Sequence, residues 1–308
     1  MFYNYITELE DCALCPRECH TNRLKGRNGY CQAGHSFDIG AICKHKGEEP
    51  VISGGIGICN VFFSHCNIQC SYCQNYQISR NKKKIIGKEY TLVEVVSEIS
   101  EILDEGIDIL GFVSPSHFIP QMKAIIYSLH KQGKHPVIVY NTNSYDKVET
   151  LKSLEDIIDV YLPDYKYSDP ILANELSDAD NYPEIALKAI KEMVRQKGTS
   201  LKLNEKGQAQ SGVIIRHLIL PGYISNSLGV LRQIAYEIST FANISLMSQY
   251  YPTPEVVNHS QIGRTLTNEE YDSVVATMES LGLFRGWLQK PESSKYYRPD
   301  FSQNNTFI

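Results

Sequence analysis

The sequence has no cysteine after residue 73, only one tryptophan, no excess of basic residues and no long apolar run. No stretch approaches the roughly 20 apolar residues that span a bilayer, so we expect no membrane-spanning helix. A formal net charge of −5 gives no electrostatic footprint for nucleic acid. The short basic run 80–84 is typical of a solvated loop. These shortages argue against a membrane protein and against a nucleic-acid-binding protein.

The cysteines that are present all lie in the first quarter of the chain. The amino-terminal residues lack the charged, apolar and cleavage regions of a secretory signal peptide, so we expect a cytoplasmic and reduced protein. In that compartment, nine cysteines within the first 73 residues indicate metal or redox chemistry rather than disulfides. The length of 308 residues is enough for one large α/β domain with a small appendage.

The pattern of apolar residues changes near residue 50. Residues 1–50 are cysteine-rich and weakly periodic, and after them apolar strand runs alternate with amphipathic helices. Capping boxes at 91–94 and 267–270 begin two of these helices. The predicted strands are 58–63, 109–113, 137–140, 159–162, 213–220 and 244–249. Six strand–helix units rich in Val, Ile and Leu predict a parallel sheet covered by helices, either open and doubly wound or curved into a partial barrel.

Three cysteines follow the first predicted strand in the pattern Cys66-x3-Cys70-x2-Cys73. The glycine fingerprint of dinucleotide-binding folds is missing at this position. Thiolates prefer soft metals, and three of them are one fewer than a cubane iron–sulfur cluster normally takes. The loop therefore predicts a cluster with one iron left open for a non-protein ligand. Zinc with His65 or Cys59 as fourth ligand is one alternative, and a trio of unrelated buried cysteines is another.

A second cysteine set lies closer to the amino terminus. Its pattern, Cys12-x2-Cys15-x3-Cys19-x11-Cys31, supplies four thiolates at metal-like spacing. Structural zinc and a second iron–sulfur cluster both take four such ligands, and the sequence leaves these two open beside a metal-free cysteine cluster. Either metal would hold together a segment with few apolar residues. The two cysteines outside both sets are expected to be buried small hydrophobic residues.

The three-cysteine loop resembles the defining motif of the radical S-adenosylmethionine (SAM) superfamily, which follows the first strand of a partial (β/α) barrel. Tyr72 matches the aromatic residue usual before the last cysteine of that motif. The chain also resembles the pyruvate formate-lyase activating-enzyme group, in a branch with an extra amino-terminal cysteine set, over the segments 12–19, 48–50, 73–75, 161–167 and 216–222. The resemblance implies an α/β fold with a partial (β/α)6 TIM-like barrel over residues 51–290. A cysteine-rich metal or cluster segment would occupy residues 1–50, and a tail residues 291–308.

The resemblance also implies a chemistry. A 4Fe-4S cluster on the three cysteines would bind the amino and carboxylate groups of SAM through its open iron. One electron would then cleave SAM to methionine and a 5′-deoxyadenosyl radical, and that radical would abstract a hydrogen atom from a target. The electron donor would be a reductant such as flavodoxin or ferredoxin. The chain would thus be an iron-dependent oxidoreductase.

Polar residues at the strand ends are the candidate cofactor contacts. The Gly-Gly-Glu segment usual after the second barrel strand is replaced here by 113–117, so serine hydroxyls or His117 would hold the amino group of SAM instead. His117 is equally typical of the start of a helix. Strand alternation directs one of Arg216 and His217 into the barrel. The full candidate set is Ser114, Ser116, His117, Asn141, Asn143, Asp164, Lys166, Arg216, His217 and Gln249.

The target of the radical has no signature in these residues. By analogy with the activating enzymes, we expect a protein or peptide partner in which a glycine loses a hydrogen atom. Radical chemistry on a small molecule, or in another peptide modification, is an alternative. An iron–sulfur electron-transfer or sensor protein is an alternative of another class. Such a protein would supply a fourth cysteine near the loop, and none follows Cys73.

Overall fold

A ten-stranded, largely parallel sheet positions the other elements of the fold. The computed structural model describes residues 6–26, 29–303 and 306–307. Its strands are β1 (Phe37–His45), β2 (Ile58–Phe63), β3 (Lys88–Tyr90), β4 (Ile109–Val113), β5 (Val137–Thr142), β6 (Val160–Pro163), β7 (Lys202–Leu203), β8 (Ala209–Leu218), β9 (Asn243–Met247) and β10 (Gly286–Leu288). The six predicted strands correspond to β2, β4, β5, β6, β8 and β9, which lie side by side in parallel in that order.

The sheet does not close on itself. Its strand order is β10-β9-β8-β6-β5-β4-β2-β1-β3, with β7 paired to β8. Over the ranges that the structure describes, the end strands β10 and β3 do not pair with each other. The predicted α/β class with a partial, open barrel is therefore confirmed.

Helices connect the parallel strands. They are α1 (Pro50–Ser53), α2 (Tyr76–Ser79), α3 (Leu92–Asp104), α4 (Ile119–Lys131), α5 (Val148–Lys152), α6 (Pro170–Ser177), α7 (Tyr182–Lys197), α8 (Ile224–Gln233) and α9 (Asn268–Ser280). Both predicted capping boxes form, at the starts of α3 and α9. In the first, the backbone N–H of Thr91 donates to Glu94 Oε2 at 2.7 Å. None of the described helices is long and apolar enough to cross a membrane.

Four strands of the sheet were not predicted from the sequence, namely β1, β3, β10 and the two-residue β7. β1 pairs antiparallel with β2, β3 pairs antiparallel with β1, and β10 pairs in parallel with β9. β1 lies within residues 1–50, so the sheet begins before the change in periodicity near residue 50. β3 and β10 are each three residues long. Such short strands carry too few residues for an alternating pattern, and only their long-range partners define them.

The amino-terminal ends of the parallel strands are closed by aliphatic side chains. These form one cluster, made of Ile52, Ile58, Ile109, Val139, Val160, Leu162, Ala209 and Ile214. Polar side chains such as Asn60, Asn141 and Arg216 lie farther along the strands. Parallel barrels place their functional sites at the carboxyl ends, because the loops from several strands meet there. The apolar cluster thus closes the end of the barrel opposite the expected site.

Candidate active site at the carboxyl ends of the strands

A cavity of about 950 Å³ lies at the carboxyl ends of the parallel strands. Cys66, Cys70 and Cys73 all line it. Seven of the ten candidate cofactor contacts line it as well, namely Ser114, Asn141, Asn143, Asp164, Lys166, Arg216 and Gln249. The structure therefore brings together side chains that lie as far apart in sequence as residues 66 and 249. A volume near the upper end of the usual range for ligand pockets is large enough for a cofactor-sized molecule.

Each sulfur of the three-cysteine loop faces a polar hydrogen-bond donor. Cys66 Sγ accepts from the side-chain amide of Asn143 at 3.3 Å. The hydroxyl groups of Ser177 and Ser79 donate to the other two sulfurs, at 3.0 Å to Cys70 and 3.3 Å to Cys73. Donors of this kind stabilise a thiolate, which is the form that binds metal. Ser79 and Ser177 were not predicted from the sequence, because each lies on a helix with no motif around it.

The loop is held in place by the residue that begins the basic run. Arg80 Nη1 donates to the carbonyl of Cys70 at 2.8 Å, and Nη2 donates to that of Ser71 at 3.1 Å. Arg80 also pairs with Glu255 at 2.5 Å. The prediction of a solvated loop over 80–84 is therefore wrong for Arg80, which is buried. It is correct for 82–84, which is largely exposed.

Burial and one nearby cation shift the pKa values of the Cys66 and Cys70 thiols in opposite directions. Burial raises the pKa of Cys66 to about 12 and also raises the pKa of Cys70. The ammonium of Lys166 lowers the pKa of both thiols. Because a metal binds the thiolate, cluster assembly at these sulfurs must release protons. Lys166 therefore favours the ligand form of the loop.

Lys166 is itself fixed by a charged partner in the cavity wall. Its Nζ lies 2.6 Å from Asp164 Oδ2, just beyond the end of β6. Burial opposes the charge on Lys166, but Asp164 and the Cys70 thiol raise the pKa of the lysine above its usual value. Lys166 thus presents a permanent positive charge beside the three-cysteine loop.

Two consecutive glutamates that were not predicted as site residues pair with Arg216 inside the barrel. Arg216 Nε lies 2.9 Å from Glu49 Oε1, and its Nη2 contacts carboxylate oxygens of both Glu48 and Glu49. Asn60 on β2 donates to Glu48 Oε1 at 2.8 Å. Although burial opposes its charge, Arg216 lowers the pKa of Glu48 to about 2. An arginine in an apolar, buried strand was the sequence signal for this cluster.

Three of the candidate contacts lie outside the cavity lining. His217 is buried on the other face of β8, where Nδ1 contacts the carbonyl of Tyr165 at 2.7 Å and Nε2 contacts Ser227 Oγ at 2.8 Å. Ser116 is also buried, with its hydroxyl 3.3 Å from Thr142 Oγ1. Strand alternation explains the first result, because Arg216 occupies the inward position and directs its neighbour away. His217 is thus a satisfied core residue.

His117, the third of these, lies beside the amino-terminal cysteines. It helps to line a smaller pocket together with Cys12, Cys15, Cys19 and Cys31. Its Nε2 lies 2.9 Å from the carbonyl of Ser64, and burial lowers the pKa of the ring to about 3, so the ring is neutral. Within the described residues, no three His, Cys, Asp or Glu side chains are arranged around a single metal ion.

The carboxyl-terminal segment forms one wall of the cavity. Trp287, Tyr296, Tyr297 and Phe307 all contribute to the lining. A chain of glutamines ties this wall to the three-cysteine loop. Gln249 Nε2 donates to Gln74 Oε1 at 3.0 Å, and Gln289 Nε2 donates to Gln249 Oε1 at 2.7 Å. Gln74 directly follows Cys73, so the covering segment and the loop are linked through hydrogen bonds.

The donor set fits an iron–sulfur cluster with one open position. Three thiols, each facing an N–H or O–H donor, line a cavity that also contains a fixed cation and amide groups. In the described part of the chain, no fourth cysteine lines this cavity. The fourth corner of a cubane would therefore face the cavity rather than a protein ligand.

Comparisons with known proteins found a family model, a relative and solved structures to which the chain is similar. Residues 60–204 match the family model of the radical SAM superfamily. An uncharacterised protein of Methanocaldococcus jannaschii is 26% identical over 277 residues, covering 89% of this chain and 76% of the relative. The solved structure of HydG, a maturase of the FeFe-hydrogenase, superposes with a TM-score of 0.48 at 15% identity over 75% of this chain and 52% of its own.

Streptococcus suis SuiB bound to its precursor peptide SuiA gives a TM-score of 0.48 at 11% identity, over 73% of this chain and 47% of its own. The chain thus spans about half the length of these solved structures. The matched residues 60–204 include the three-cysteine loop and the whole of β4, β5 and β6. The family match covers slightly less than half of the chain, and it includes the segment that carries the three cysteines.

Proposed function

We propose that the chain is a radical SAM enzyme that holds a 4Fe-4S cluster on Cys66, Cys70 and Cys73 and binds SAM in the adjoining cavity. When bound, the cluster and SAM supply a one-electron reductive cleavage that yields a carbon radical able to abstract hydrogen. The observation that carries the proposal is the set of three donor-facing thiols on the lining of a cavity of about 950 Å³.

The residues around the thiols would control their charge. Asn143, Ser177 and Ser79 each donate a hydrogen bond to one sulfur, which stabilises the thiolate. Hydrogen bonds to ligand sulfurs also help to set the reduction potential of a cluster. Loss of any one donor would therefore affect electron uptake more than the fold.

Lys166 is the residue best placed to bind the carboxylate of SAM. Its ammonium lines the cavity near Cys70, and Asp164 fixes its position at 2.6 Å. Ser114 and Asn141 lie on the same lining and offer a hydroxyl and an amide. The hydroxyl of Ser114 and the amide of Asn141 would bind the amino group of SAM, which the Gly-Gly-Glu segment binds in the activating enzymes.

The enclosure of the cavity suits radical chemistry. Aromatic side chains of the carboxyl-terminal segment form one wall, and the Arg216–Glu48–Glu49 cluster contributes another part of the lining. A carbon radical reacts with most organic groups, so the residues that exclude water and side reactants protect the reaction. The carboxyl-terminal wall would also limit the width of any target that enters.

We propose a protein glycine as the target, which would make the chain an activase of a glycyl radical enzyme. The support is the resemblance of 161–167 and 216–222 to the pyruvate formate-lyase activating enzymes. Both segments contribute to the cavity, through Asp164, Lys166, Arg216 and Leu218.

A small polar molecule is the second candidate target. The polar groups of Glu48, Glu49 and Arg216 on the lining favour it, because they can hydrogen-bond to a small polar molecule. An electron paramagnetic resonance (EPR) signal of a glycyl radical, appearing in a candidate partner only when this chain and SAM are added, supports the activase. Turnover of SAM without such a signal in any candidate favours the small molecule.

The enzymatic proposal itself is tested without knowledge of the target. The protein is reconstituted with iron and sulfide under anaerobic conditions, reduced, and mixed with SAM. We expect methionine and 5′-deoxyadenosine in equal amounts, because the cleavage yields one of each. Cluster-loaded, reduced protein that forms neither product would contradict the proposal. A heat-unfolded sample measures the uncatalysed background.

A further inference from the structure

A chain of three hydroxyl groups ends at the sulfur of Cys70. The Ser177 hydroxyl lies 3.0 Å from Cys70 Sγ, and the Tyr167 hydroxyl lies 2.6 Å from Ser177 Oγ. The third hydroxyl, that of Tyr72, lies 2.7 Å from that of Tyr167. All three residues are buried, and Tyr72 also lines the large cavity. This hydroxyl chain of Tyr72, Tyr167 and Ser177 therefore joins the cavity wall to a sulfur of the three-cysteine loop.

The backbone of the three-cysteine loop is docked on the end of α6, where Ser177 lies. The amides on either side of Cys70 both donate to this end. Gln69 N donates to the carbonyl of Ser177 at 3.1 Å, and Ser71 N donates to that of Leu176 at 2.8 Å. Carbonyls in the last turn of a helix have no partner within the helix, so these bonds satisfy them. They also hold Ser177 against the loop at the position of Cys70.

The ring of Tyr167 is fixed by a second buried tyrosine. Its centroid lies 5.3 Å from that of Tyr182, in an edge-to-face contact with an interplanar angle of 84°. The Tyr182 hydroxyl contacts the carbonyls of Asn143 and Asp164, at 2.8 and 2.7 Å, just beyond β5 and β6. Aromatic pairs favour this perpendicular arrangement. The strand ends thus hold Tyr182, and Tyr182 holds the ring of Tyr167 beside Ser177.

The number of hydrogens fixes the direction of the hydroxyl chain once Cys70 binds metal. Each hydroxyl has one hydrogen to donate, whereas a metal-bound thiolate has none and can only accept. Ser177 therefore donates to Cys70 and must accept from Tyr167. Tyr167 has then used its hydrogen, so Tyr72 donates to Tyr167. Burial raises the pKa of Tyr167 well above its usual value, so its hydroxyl keeps its hydrogen.

A chain with one direction strengthens its last hydrogen bond. Hydrogen bonds in series polarise one another, so a hydroxyl that accepts a hydrogen bond becomes a better donor. The Ser177 hydroxyl therefore stabilises negative charge on Cys70 more than a serine without Tyr167 would. Reduction adds one negative charge to a cluster, and hydrogen bonds to its sulfurs are among the factors that set its potential. The hydroxyl chain thus favours the reduced cluster.

We propose that Tyr167 is a positioning residue for electron uptake, which directs the Ser177 hydroxyl to Cys70 and raises the reduction potential of the cluster. This inference rests on the proposed function, because it requires a cluster on the three-cysteine loop. Tyr167 is not among the described residues that line the large cavity, so it acts through Ser177 rather than on SAM.

The reduction potential of Tyr167→Phe tests this role, because the change removes one oxygen atom and keeps the ring. The reconstituted cluster is titrated without SAM and followed by EPR, and we expect a more negative potential than in the wild type. Tyr161→Phe is the matched control. Tyr161 is also fully buried, and its hydroxyl donates to Gln196 at 2.6 Å, outside the lining of the cavity. Equal potentials in the two variants would overturn the proposal.

A double-mutant cycle shows whether Tyr167 acts through Ser177. Ser177→Ala should lower the potential more than Tyr167→Phe, because it removes the donor itself. Adding Tyr167→Phe to Ser177→Ala should cause no further shift, because the chain is already broken. Two shifts that add in full would overturn the proposal. If Tyr167→Phe does not fold, Tyr72→Phe removes the first donor of the same chain, and an unchanged potential in that variant would overturn the proposal equally.

The kinetics of SAM cleavage give a second readout. We expect kcat to fall about 10-fold in Tyr167→Phe, at the low end of the usual effect of outer-shell partners. KM for SAM should stay near the wild-type value, and a raised KM with unchanged kcat would contradict the role. A cluster with unchanged potential would overturn only the role of Tyr167. A wild-type protein that assembles no cluster on the loop would overturn the proposed function as well.

Discussion

Cys70→Ala is expected to abolish 5′-deoxyadenosine formation, whereas Cys43→Ala leaves it at the wild-type level. Cys70 lines the large cavity and accepts a hydrogen bond from Ser177, whereas Cys43 lies on β1 outside both cysteine sets. Two thiolates cannot hold a cubane with one open iron, so product should fall to the background of unfolded protein. The measurement is product formation after anaerobic reconstitution, with the melting temperature recorded for both variants.

Ser177→Ala is expected to lower 5′-deoxyadenosine formation without abolishing it. This change keeps all three thiols but removes the hydroxyl donor 3.0 Å from Cys70. Outer-shell partners of metal ligands typically contribute 10- to 100-fold in metal affinity or activity, and we expect a loss of about that size. Equal activity of Cys70→Ala and Cys43→Ala would contradict the assignment of the loop as the cluster site.

Arg216→Met is expected to have the largest effect on stability. The guanidinium pairs with two carboxylates inside the barrel, and removing it leaves Glu48 and Glu49 without their cation. Breaking a buried ion pair from one side costs about 3–5 kcal/mol. Denaturant unfolding should show this loss. Arg232→Met, an exposed position on α8, serves as the control and should unfold with the wild type.

The pH dependence of the stability lost in Arg216→Met shows whether the loss comes from the ion pair with Glu48. Arg216 lowers the pKa of Glu48 from its usual 4.5 to about 2 in the folded protein. The pair therefore stabilises the wild type above the unfolded pKa, and this contribution is lost as the pH falls from about 4.5 toward 2. The difference in unfolding free energy between the wild type and Arg216→Met should shrink over that window.

A compensating variant separates charge from packing. Glu48→Gln and Glu49→Gln, added to Arg216→Met, leave polar groups of nearly the same shape without their charges. We expect this triple variant to recover most of the lost stability, because neutral amides cost less to bury than carboxylates. If Arg216→Met alone unfolds with the control, the cluster contributes no net stabilisation and the argument fails.

The strands and the helix caps could be predicted because local patterns determine them. Apolar runs predicted six of the seven parallel strands, and Thr91 and Thr267 each form the capping box that their neighbours indicate. The short strands β3 and β10 were not predictable, because only pairing with a distant strand defines them. Local sequence patterns therefore explain the predicted parallel strands and the helix caps, whereas long-range pairing explains the short strands at the two ends of the sheet.

The site shows the same division between local and distant signals. The spacing of Cys66, Cys70 and Cys73 indicated a shared site directly. Arg216 and His217 could only be predicted as a pair, since alternation gives opposite directions without saying which faces inward. His117 follows β4 in sequence but lines the smaller pocket beside the amino-terminal cysteines, which no local pattern indicated.

The most direct test of the account is the EPR spectrum of the reduced protein with and without SAM. The three-cysteine loop leaves one corner of the cluster facing the cavity, where SAM would bind. In the reconstituted protein, we expect SAM to change the g-values of the reduced signal. A spectrum that stays unchanged at saturating SAM, from protein that carries the cluster, would contradict the central claim.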